Sequence, residues 1–469
     1  MAETPRIAIV VDNPHRDLEG MTLLATHLVS KGAIAYLVPM YHQGFEVPSI
    51  APHVVLVNFI RDANIPLIRS YHEAGIRVGV LDTEGGTWES PKQFAQAVAY
   101  QDAKKWIDFY YFWGEAQCQA LREYNKEENL GVVTGCPRHD FYVKHYRKAL
   151  ENPFKEQEKE PILFVSNLVG SFPRFVTAEQ EMQNQIACGY DKKYLEEVQR
   201  DERQARKNVM KMVRELSLDF PERNVIVRPH PFEQYMDYVE EFKSLKNVFV
   251  EGAGSISHAI SHSLVILQMN SSAAVDSYLM DKPVINLDWC LSDLMQDKCK
   301  LPSQVSARPK SYMEAKMMIK NVIQGKKIHE VNVDVEQEIK NWFGSPGNSA
   351  DTIANLLIEE SSKCSNINNN YCREIAAKGS REPNLRTSID KIGRKIFSPR
   401  NYIFLRNRIL TKKIFSQDKA AKVFTPKTVS NIVKRISNVD KIEDFHISYI
   451  ESKDVVTRNL AGSTVKLSR

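Results

Sequence analysis

The chain has 469 residues, of which 43% are hydrophobic and 26% are charged. This length is too great for one ordinary domain, and the composition excludes an intrinsically disordered protein. Seven scattered cysteines, with no CxxC and no metal-like spacing, predict reduced and mostly buried thiols rather than a zinc site. No apolar run approaches the roughly 20 residues of a membrane span, and the start of the chain lacks the pattern of a signal peptide. These features favour a cytoplasmic protein of two domains.

The first 150 residues alternate apolar segments with helical patterns. Asp17–Lys31, for example, has the apolar stripe of an amphipathic helix. Strands that alternate with helices predict a parallel, doubly wound sheet, so residues 1–150 are expected to form one Rossmann-like domain. The segments predicted as buried strands are Arg6–Val11, Ala33–Val38, His53–Phe59, Arg77–Leu81 and Leu130–Thr134.

A second series of strands and helices follows the polar stretch 151–160, and it predicts a second Rossmann-like domain over residues 161–335. Residues 336–360 are expected to be closing helices, of which Asp351–Glu360 crosses back to the first domain. The predicted strands of this series are Pro161–Val165, Asn224–Arg228, Val248–Glu251, Leu264–Met269 and Val284–Asp288, and its predicted helices are Tyr194–Leu216, one from about Ser272 and Met313–Ile323.

Residues 361–469 are strongly basic. They contain 23 Lys and Arg against 9 Asp and Glu, whereas the rest of the chain contains 40 against 49. A basic extension of this kind predicts contact with a polyanion, either an anionic membrane surface or nucleic acid. The alternative is a solubilising, partly disordered extension. Ser361–Asn370 is expected to be a linker, and Ile389–Leu410 and Ala421–Ile436 have loosely helical spacing.

The strongest local motif is Arg228-Pro-His-Pro231, directly after a predicted strand. Two prolines stiffen the turn, so the imidazole of His230 leaves the end of the strand in a fixed direction. Ligands of open α/β sheets bind at this end of the strands, where His230 can donate to a phosphate and Arg228 can add charge. A rigid turn with a structural histidine is the alternative.

A second motif, Asn270-Ser271-Ser272, separates a predicted strand from a helix. Free backbone N–H groups and hydroxyl groups at a helix start can bind an anion, although plain capping of the helix also accounts for them. Asp276, one turn further on, could reach a ribose hydroxyl. We therefore predict that Arg228, His230, Asn270, Ser271, Ser272 and Asp276 bind the nucleotide end of a donor.

A third motif, Asp82-Thr-Glu84-Gly85-Gly86, follows the predicted strand Arg77–Leu81. The two glycines permit close approach of a ligand, and Glu84 could act as a general base on an acceptor hydroxyl. A tight turn with acidic helix caps is the alternative. Further candidates for the acceptor side are Asp82, the turn residues Arg138 and Asp140, and His15 after the first strand. No histidine spacing suggests a metal site.

In this order, the EGG motif, the TGxPRxD motif of Thr134–Asp140, the RPHP motif and the NSS motif resemble bacterial surface-carbohydrate biosynthesis proteins of the GT-B glycosyltransferase type. The resemblance covers roughly residues 5–360. It implies two Rossmann-like domains that face a cleft, with acceptor binding in the first and nucleotide binding in the second. It also implies that no metal or cofactor is required beyond the activated donor.

The same motifs are similar to those of bacterial sialyl and Kdo transferases, which use CMP-activated acids and carry D/E-D/E-G and HP motifs. By this resemblance, His230 contacts the donor phosphate and Glu84 is the base or nucleophile. Thr83 stands where those enzymes have their first acidic residue, which leaves inversion or retention open. CDP-glycerol and CDP-ribitol phosphotransferases also share an RPHP strand end and a serine-rich helix start.

Three hypotheses of function follow. The first is a glycosyltransferase that builds capsule or lipopolysaccharide from a CMP-activated ulosonic acid, with a glycan on a lipid carrier as acceptor. The second is an alditol-phosphate transferase that uses a CDP-linked donor. The third is a non-catalytic scaffold of a polysaccharide assembly complex. In the first two, residues 361–469 would hold the enzyme at the inner face of the plasma membrane, and no nucleic acid partner is needed.

Overall fold

The computed structural model describes residues 3–86, 88, 90–187, 190–252, 254–296, 300–379, 422–442, 444–457 and 462–469. The chain divides into two compact units. Unit 1 contains Met1–Ala149 and Lys340–Arg469, and unit 2 contains Leu150–Ile339.

The strands are β1 Arg6–Val11, β2 Ile34–Pro39, β3 Val54–Val57, β4 Arg77–Leu81, β5 Phe109–Phe112, β6 Val132–Val133, β7 Ile162–Val165, β8 Val225–Arg228, β9 Val248–Val250, β10 Val265–Gln268, β11 Val284–Asn286, β12 His446–Tyr449 and β13 Val465–Ser468. The helices are α1 Pro14–Ser30, α2 Gln43–Ile50, α3 Ile65–Glu73, α4 Pro91–Ala97, α5 Tyr100–Ala103, α6 Glu115–Asn125, α7 Pro137–Asp140, α8 Lys144–Arg147, α9 Ala178–Ala187, α10 Lys192–Asp219, α11 Met236–Phe242, α12 Ile256–Ser261, α13 Ala273–Leu279, α14 Asp293–Gln296, α15 Lys300–Gln304, α16 Tyr312–Ile323, α17 Val333–Phe343, α18 Ser349–Ser362, α19 Asn369–Gly379 and α20 Pro426–Asp440.

Unit 1 is built on a sheet of the order β12-β13-β2-β1-β3-β4-β5-β6. The strands from β1 to β6 pair in parallel, and their side chains are almost wholly buried in β1, β3 and β4. A parallel strand covered on both faces needs such a continuous apolar run, which is the pattern that the sequence shows. Strand β5 was not predicted, although its four consecutive aromatic residues FYYF form the short apolar run of a buried strand.

Unit 2 is built on a parallel sheet of the order β11-β10-β7-β8-β9. The apolar stripe of the long helix α10 packs on this sheet through buried residues that include Val209, Met212 and Leu216. Two sheets whose cores are parallel, with alternating helices, make this an α/β protein with two Rossmann-like units, and the predicted fold class is confirmed.

The C-terminal part of the chain belongs to unit 1. Strand β13 pairs antiparallel with β2, and β12 pairs with β13. Glu46, which is fully buried, accepts hydrogen bonds from the backbone N–H and the hydroxyl of Ser463 at 2.9 and 2.7 Å, and from the hydroxyl of Thr464. The sequence predicted an extension over 361–469, whereas the structure gives its described segments a place in the sheet and core of unit 1.

Two further predicted boundaries differ from the structure. The expected linker Ser361–Asn370 overlaps the end of α18 and the start of α19. The expected closing segment 336–360 contains parts of two helices, α17 and α18, and the division between the units falls inside α17. The predicted helical stretch Ile389–Leu410 lies outside the described residues. Among the described residues, no helix is both long and apolar enough to cross a membrane.

Candidate functional site

The topology of unit 2 marks a ligand-binding edge. From the central strand β7 the chain builds outward to β8 and β9, and it then returns to the other side of β7 to form β10 and β11. The direction of winding therefore reverses between β7 and β10. In open α/β sheets, ligands bind outside the carboxyl ends of the strands at this switch point.

The RPHP and NSS motifs leave the sheet of unit 2 at this same edge. Arg228 at the end of β8 is in register with Val165 of β7, which is in register with Gln268 of β10. Because neighbouring strands lie about 4.8 Å apart, the backbones of Arg228 and Gln268 are about 10 Å apart. The fold therefore brings the two predicted nucleotide motifs to adjacent positions on either side of the end of β7.

His230 has a defined hydrogen-bonding orientation in the RPHP turn. Its Nδ1 atom accepts from the backbone N–H of Phe232 at 3.2 Å, so the neutral imidazole carries its hydrogen on Nε2. The side chain is half-buried. A donor N–H on a ring fixed in this way can serve a phosphate oxygen, which is the role that the sequence predicted.

Arg228 lies deeper in unit 2. It is 8% exposed, and its guanidinium donates to the carbonyl of Gly254 in the loop after β9. Burial lowers the pKa of Arg228, and the nearby Glu251 opposes this effect. These contacts give Arg228 a clear role in holding the loop beside the RPHP turn. A direct contact with phosphate stays a prediction.

Glu233, which was not singled out in the sequence, ties two loops of this edge together. It is fully buried and accepts from the hydroxyls of Ser166 and Tyr238 at 2.9 and 3.0 Å and from the backbone N–H of Leu168 at 3.1 Å. Burial raises the pKa of Glu233, and these hydrogen bonds oppose the rise. The loop after β7 and the turn after β8 are thereby joined through one carboxylate.

The NSS segment is held mostly by its own neighbours. The side chain of Asn270 donates to the carbonyl of Gln296 at 2.8 Å, and its backbone is left-handed with a φ of 47°. Ser271 donates its backbone N–H to Gln268 at 2.8 Å, and its hydroxyl accepts from Ala273 at 3.3 Å. Ser272 is exposed and makes no side-chain cap on α13. Ser271 therefore caps the start of α13, and Ser272 is the more accessible hydroxyl.

A buried polar network lies behind the NSS segment. Gln268 donates to Asn286 of β11 at 2.8 Å and to the hydroxyl of Ser306 at 3.1 Å. Asp276, predicted to reach a ribose, is 8% exposed in the first turn of α13. The network fixes the backbone of the NSS segment. Its only signal in the sequence was the presence of polar residues at the ends of predicted strands.

In unit 1, the winding reverses between β1 and β3, so the corresponding switch point lies at the carboxyl end of β1. There Arg16 forms ion pairs with Asp12 at 2.8 Å, Asp17 at 2.9 Å and Glu84 at 3.1 Å. Burial disfavours the charged guanidinium, but the three carboxylates outweigh it and raise the pKa of Arg16. Lys422 adds a second cation to Asp12 at 3.0 Å. We call these five residues the β1-edge cluster.

Glu84, the predicted base, is the accessible carboxylate of the β1-edge cluster, with 58% of its side chain exposed. The neighbouring Asp82 is buried, pairs with Arg61 at 3.2 Å and accepts from the backbone N–H of Glu84 at 2.9 Å. Burial raises the pKa of Asp82, and Arg61 opposes the rise. Asp82 therefore shapes the turn that presents Glu84, in agreement with the alternative of an acidic turn.

Gly85 and Gly86 are required by packing. A Cβ atom on Gly85 would lie 2.8 Å from the indole of Trp113, and one on Gly86 would lie 2.4 Å from the ring of Phe343. The carbonyl of Gly85 also accepts from the side chain of Gln117. The glycine pair was predicted to admit a ligand, and the structure explains it through aromatic side chains of unit 1.

Asp140 has a structural role that explains its presence without a substrate. It is 1% exposed and accepts from the backbone N–H groups of Gly347 at 2.7 Å, Ser349 at 3.1 Å and Ala350 at 2.8 Å. Gly347 precedes α18, and Ser349 and Ala350 are its first two residues, whose N–H groups have no partner within the helix. Burial raises the pKa of Asp140, and the three amides oppose the rise.

The other two acceptor-side candidates occupy different environments. Arg138 lies over the ring of Trp113, 5.1 Å from its centroid, and 3.9 Å from Asp17. This places Arg138 beside the β1-edge cluster. His15 is exposed on the first turn of α1, and its backbone N–H donates to Asn13 at 3.1 Å.

The sequence prediction missed several residues at these edges. Glu233 stood two residues after the RPHP motif, and Arg61 stood two residues after a predicted strand, so both carried a positional signal. Arg174 is an exposed arginine 3.5 Å from the carbonyl of Pro231, in a loop without a motif. Lys422 gave no signal, because it lies 410 residues away from its partner Asp12.

No cluster of three or more potential metal ligands occurs within the part of the chain that the structure describes. No family model matches the sequence, and no curated protein matches it.

Solved structures match most of the chain. The UDP-GlcNAc 2-epimerase of Methanocaldococcus jannaschii, in complex with UDP-GlcNAc and UDP, is 14% identical, with a TM-score of 0.47 over 75% of this chain and 99% of that chain. The UDP-GlcNAc 2-epimerase of Neisseria meningitidis bound to UDP-GlcNAc is 13% identical, with a TM-score of 0.46 over 75% of this chain and 100% of that one. The wall teichoic acid polymerase TagF, soaked with CDPG, is 9% identical, with a TM-score of 0.47 over 77% of this chain and 90% of that chain. At these identities and TM-scores, the likenesses define no activity for this chain.

Proposed function

We propose that the protein is a nucleotide-dependent transferase of surface polysaccharide biosynthesis that takes its transferred group from a cytidine nucleotide donor. The observation that carries this proposal is the joint position of the RPHP and NSS segments at the switch point of unit 2. One segment offers an oriented imidazole N–H, and the other offers the exposed hydroxyl of Ser272. The strand ends that carry them are about 10 Å apart. This spacing and these donors suit the phosphate end of a nucleotide.

His230 is the principal donor in this proposal. As the bond to the phosphate breaks, negative charge develops on the leaving nucleotide, and a preoriented N–H stabilises it without reorganisation. The hydrogen bond from Phe232 to Nδ1 supplies that orientation. Ser272 adds a hydroxyl, Asp276 is proposed to bind the ribose, and Arg228 supports the loop after β9. With these donors, no metal or cofactor beyond the activated donor is required.

Glu84 is the proposed general base for the acceptor hydroxyl. It is the most exposed carboxylate of the β1-edge cluster, and its ion pair with Arg16 fixes its direction. A carboxylate held in place and open to solvent can accept a proton from an attacking hydroxyl. Asp82 and the two glycines of the same turn hold Glu84 in position.

The resemblance of the sequence motifs suggests two transferred groups that fit this proposal. They are a CMP-activated ulosonic acid and a CDP-linked alditol phosphate. The acceptor is proposed to be a glycan on a lipid carrier. We also propose that the segment 380–421, with 11 Lys and Arg against 3 Asp and Glu, contacts the anionic inner face of the plasma membrane. The sequence predicted membrane contact for the whole range 361–469. The described parts of that range belong to unit 1, so the proposed contact is limited to 380–421.

The role of Glu84 is tested by Glu84→Gln in the full-length protein. The variant keeps the size of the side chain and loses the base, so we expect an unchanged affinity for cytidine nucleotides and a loss of transfer of about 100-fold or more. Turnover is measured with CMP- and CDP-linked donors and a glycan acceptor. Retained turnover would remove Glu84 from catalysis, and failure of every cytidine nucleotide to bind would favour the scaffold hypothesis.

A further inference from the structure

A small polar cavity lies in unit 2 beside the loop that follows β7. Its volume is about 180 Å³, and its wall is formed by this loop, by α9 and by the first turns of α10. Since a water molecule occupies about 30 Å³ in the liquid, the cavity has room for roughly six waters. Drug-sized ligands need about 300 Å³ or more, so the cavity suits a fragment such as one sugar ring or an alditol.

The wall of the cavity is rich in hydrogen-bond acceptors. Asn167, Gln185 and Gln199 contribute amide groups, and Glu202 contributes a carboxylate. Leu195 and Val198 provide an apolar side. Among the described residues, no Lys, Arg or His lines the cavity. A wall with one negative charge and several amides suits hydroxyl donors, whereas a phosphate or carboxylate would meet Glu202 with like charge.

The polar wall is held in place by the surrounding backbone. Gln199 donates its side-chain N–H groups to the carbonyls of Gly170 at 2.8 Å and Ala178 at 2.9 Å, so its amide oxygen is directed away from both carbonyls. Glu202 accepts from the backbone N–H of Ser171, and a Cβ atom on Gly170 would lie 2.9 Å from its carboxylate. The loop and α10 therefore form a preorganised wall rather than an accidental gap.

The cavity adjoins the turn that carries His230. The loop after β7 continues beside this turn, since Phe172 accepts from the backbone N–H of Gln234 at 2.7 Å and Arg174 donates to the carbonyl of Phe232 at 2.7 Å. The carboxylate of Glu233 joins the same two segments through its bonds with Ser166 and Leu168. A donor whose phosphate lies at the RPHP turn can therefore place its neighbouring group toward the loop that walls the cavity.

We propose that this cavity binds the polyhydroxylated, uncharged part of the donor. The inference rests on the proposed function and deepens it, because it selects between the two transferred groups. An alditol or a neutral sugar fits the acceptor-rich wall, whereas the carboxylate of an ulosonic acid is disfavoured by Glu202. The chemistry of the wall therefore points to a CDP-linked polyol.

The experiment is isothermal titration of the full-length protein with CDP, CDP-glycerol, CDP-ribitol and CMP-N-acetylneuraminic acid. We expect at least one CDP-linked polyol to bind about tenfold more tightly than CDP, and the CMP-linked acid to gain nothing over CMP. Asn167→Ala and Gln185→Ala should each reduce the gain from the polyol several-fold and leave the affinity for CDP unchanged. Asn167 is exposed and Gln185 is only half-buried, so these variants are expected to fold.

Asn184→Ala is the matched control, because Asn184 is exposed on α9 and does not line the cavity. Binding of CDP without a gain from any CDP-linked polyol would overturn the inference and leave the proposed function standing. The same holds for a gain that survives both cavity variants, or for a larger gain from the CMP-linked acid. Failure of every cytidine nucleotide to bind would overturn the proposed function and the inference together.

Discussion

His139 shows how a single buried side chain can control the response of unit 1 to acid. It is fully buried against Trp113, Tyr142 and Phe343, and its Nδ1 atom has no hydrogen-bond partner among the described residues. Burial, and secondarily the charge of Arg138, lowers the pKa of His139 well below its ordinary value. The unfolded chain therefore binds a proton near pH 6.5 that the folded protein does not bind.

The direction in which stability changes with pH follows from this difference in proton binding between the unfolded and folded states. As the pH falls below about 6.5, the unfolded state gains a proton, and the free energy of unfolding drops by up to about 1.4 kcal/mol per pH unit. We expect His139→Phe to remove this part of the slope between pH 7 and pH 5, measured by urea denaturation. Replacement of the partly exposed His72 by Gln is the control. An unchanged slope in His139→Phe would contradict the assignment.

A substitution at Gly86 tests whether the EGG motif is explained by packing, as distinct from the approach of a ligand. In Gly86→Ala, the new Cβ atom would overlap the rings of Phe343 and Trp113, and such overpacking costs about 1–3 kcal/mol. Gly44→Ala is the matched control in the same unit, because the nearest described atom to its Cβ would be a side-chain carbon of Leu67 at an ordinary 3.5 Å. Urea denaturation of both variants measures the difference. Full stability of Gly86→Ala would contradict the packing explanation of this glycine.

At the level of helices, Asp140 is expected to be an anchor of α18. Asp140→Ala leaves three backbone N–H groups without their acceptor, so we expect a loss of about 2–4 kcal/mol. Asp191→Ala, which removes an exposed cap from α10, should cost only about 1 kcal/mol. Thermal and urea unfolding compare the two variants. Equal losses would contradict the buried anchoring role of Asp140.

Most strands were predictable because buried parallel strands appear in the sequence as short continuous apolar runs. The predicted bounds of β1 and β4 match the structure, and those of β8 and β10 differ by one residue at one or both ends. Strand β13 was not predicted, because its pairing with β2 joins segments more than 400 residues apart in the chain. Pairing over such a distance depends on tertiary contacts, which local periodicity does not record.

The candidate site was predictable only in part, for a similar reason. His230, Glu84 and Ser272 carried motif signals at the ends of strands, and the structure places them at strand ends. The groups that hold them carried at most a signal of position, because Glu233, Gln268 and Arg16 act through contacts with other elements. Motifs therefore identified the accessible groups, and only the fold revealed the side chains that position them.

On the scale of the whole molecule, the proposed membrane contact of the basic segment 380–421 can be tested separately from folding. Removing all of 361–469 would also delete β12, β13 and α20, so the test must change charge alone. Arg406, Arg408, Lys412 and Lys413 are replaced by Gln in the full-length protein. We expect salt-sensitive sedimentation with phosphatidylserine vesicles to fall at least several-fold, at about 1 kcal/mol for each charge that lies near the surface.

The control for the vesicle experiment replaces four exposed lysines elsewhere, Lys207, Lys211, Lys326 and Lys327, by Gln. If this variant sediments as poorly as the first, binding reflects net charge rather than the segment. If the wild-type protein does not sediment with anionic vesicles at all, the proposed membrane contact is wrong.

The placement of the donor phosphate at the RPHP turn is tested by the affinity of the full-length protein for CDP and CMP, with and without the imidazole of His230. We expect His230→Ala to weaken binding at least about tenfold, which corresponds to 1.4 kcal/mol, because an oriented donor to the phosphate is lost. His329→Ala, in the same unit and similarly half-buried, should bind as the wild type does. Equal affinity of His230→Ala and the wild type would contradict the placement of the donor phosphate at the RPHP turn.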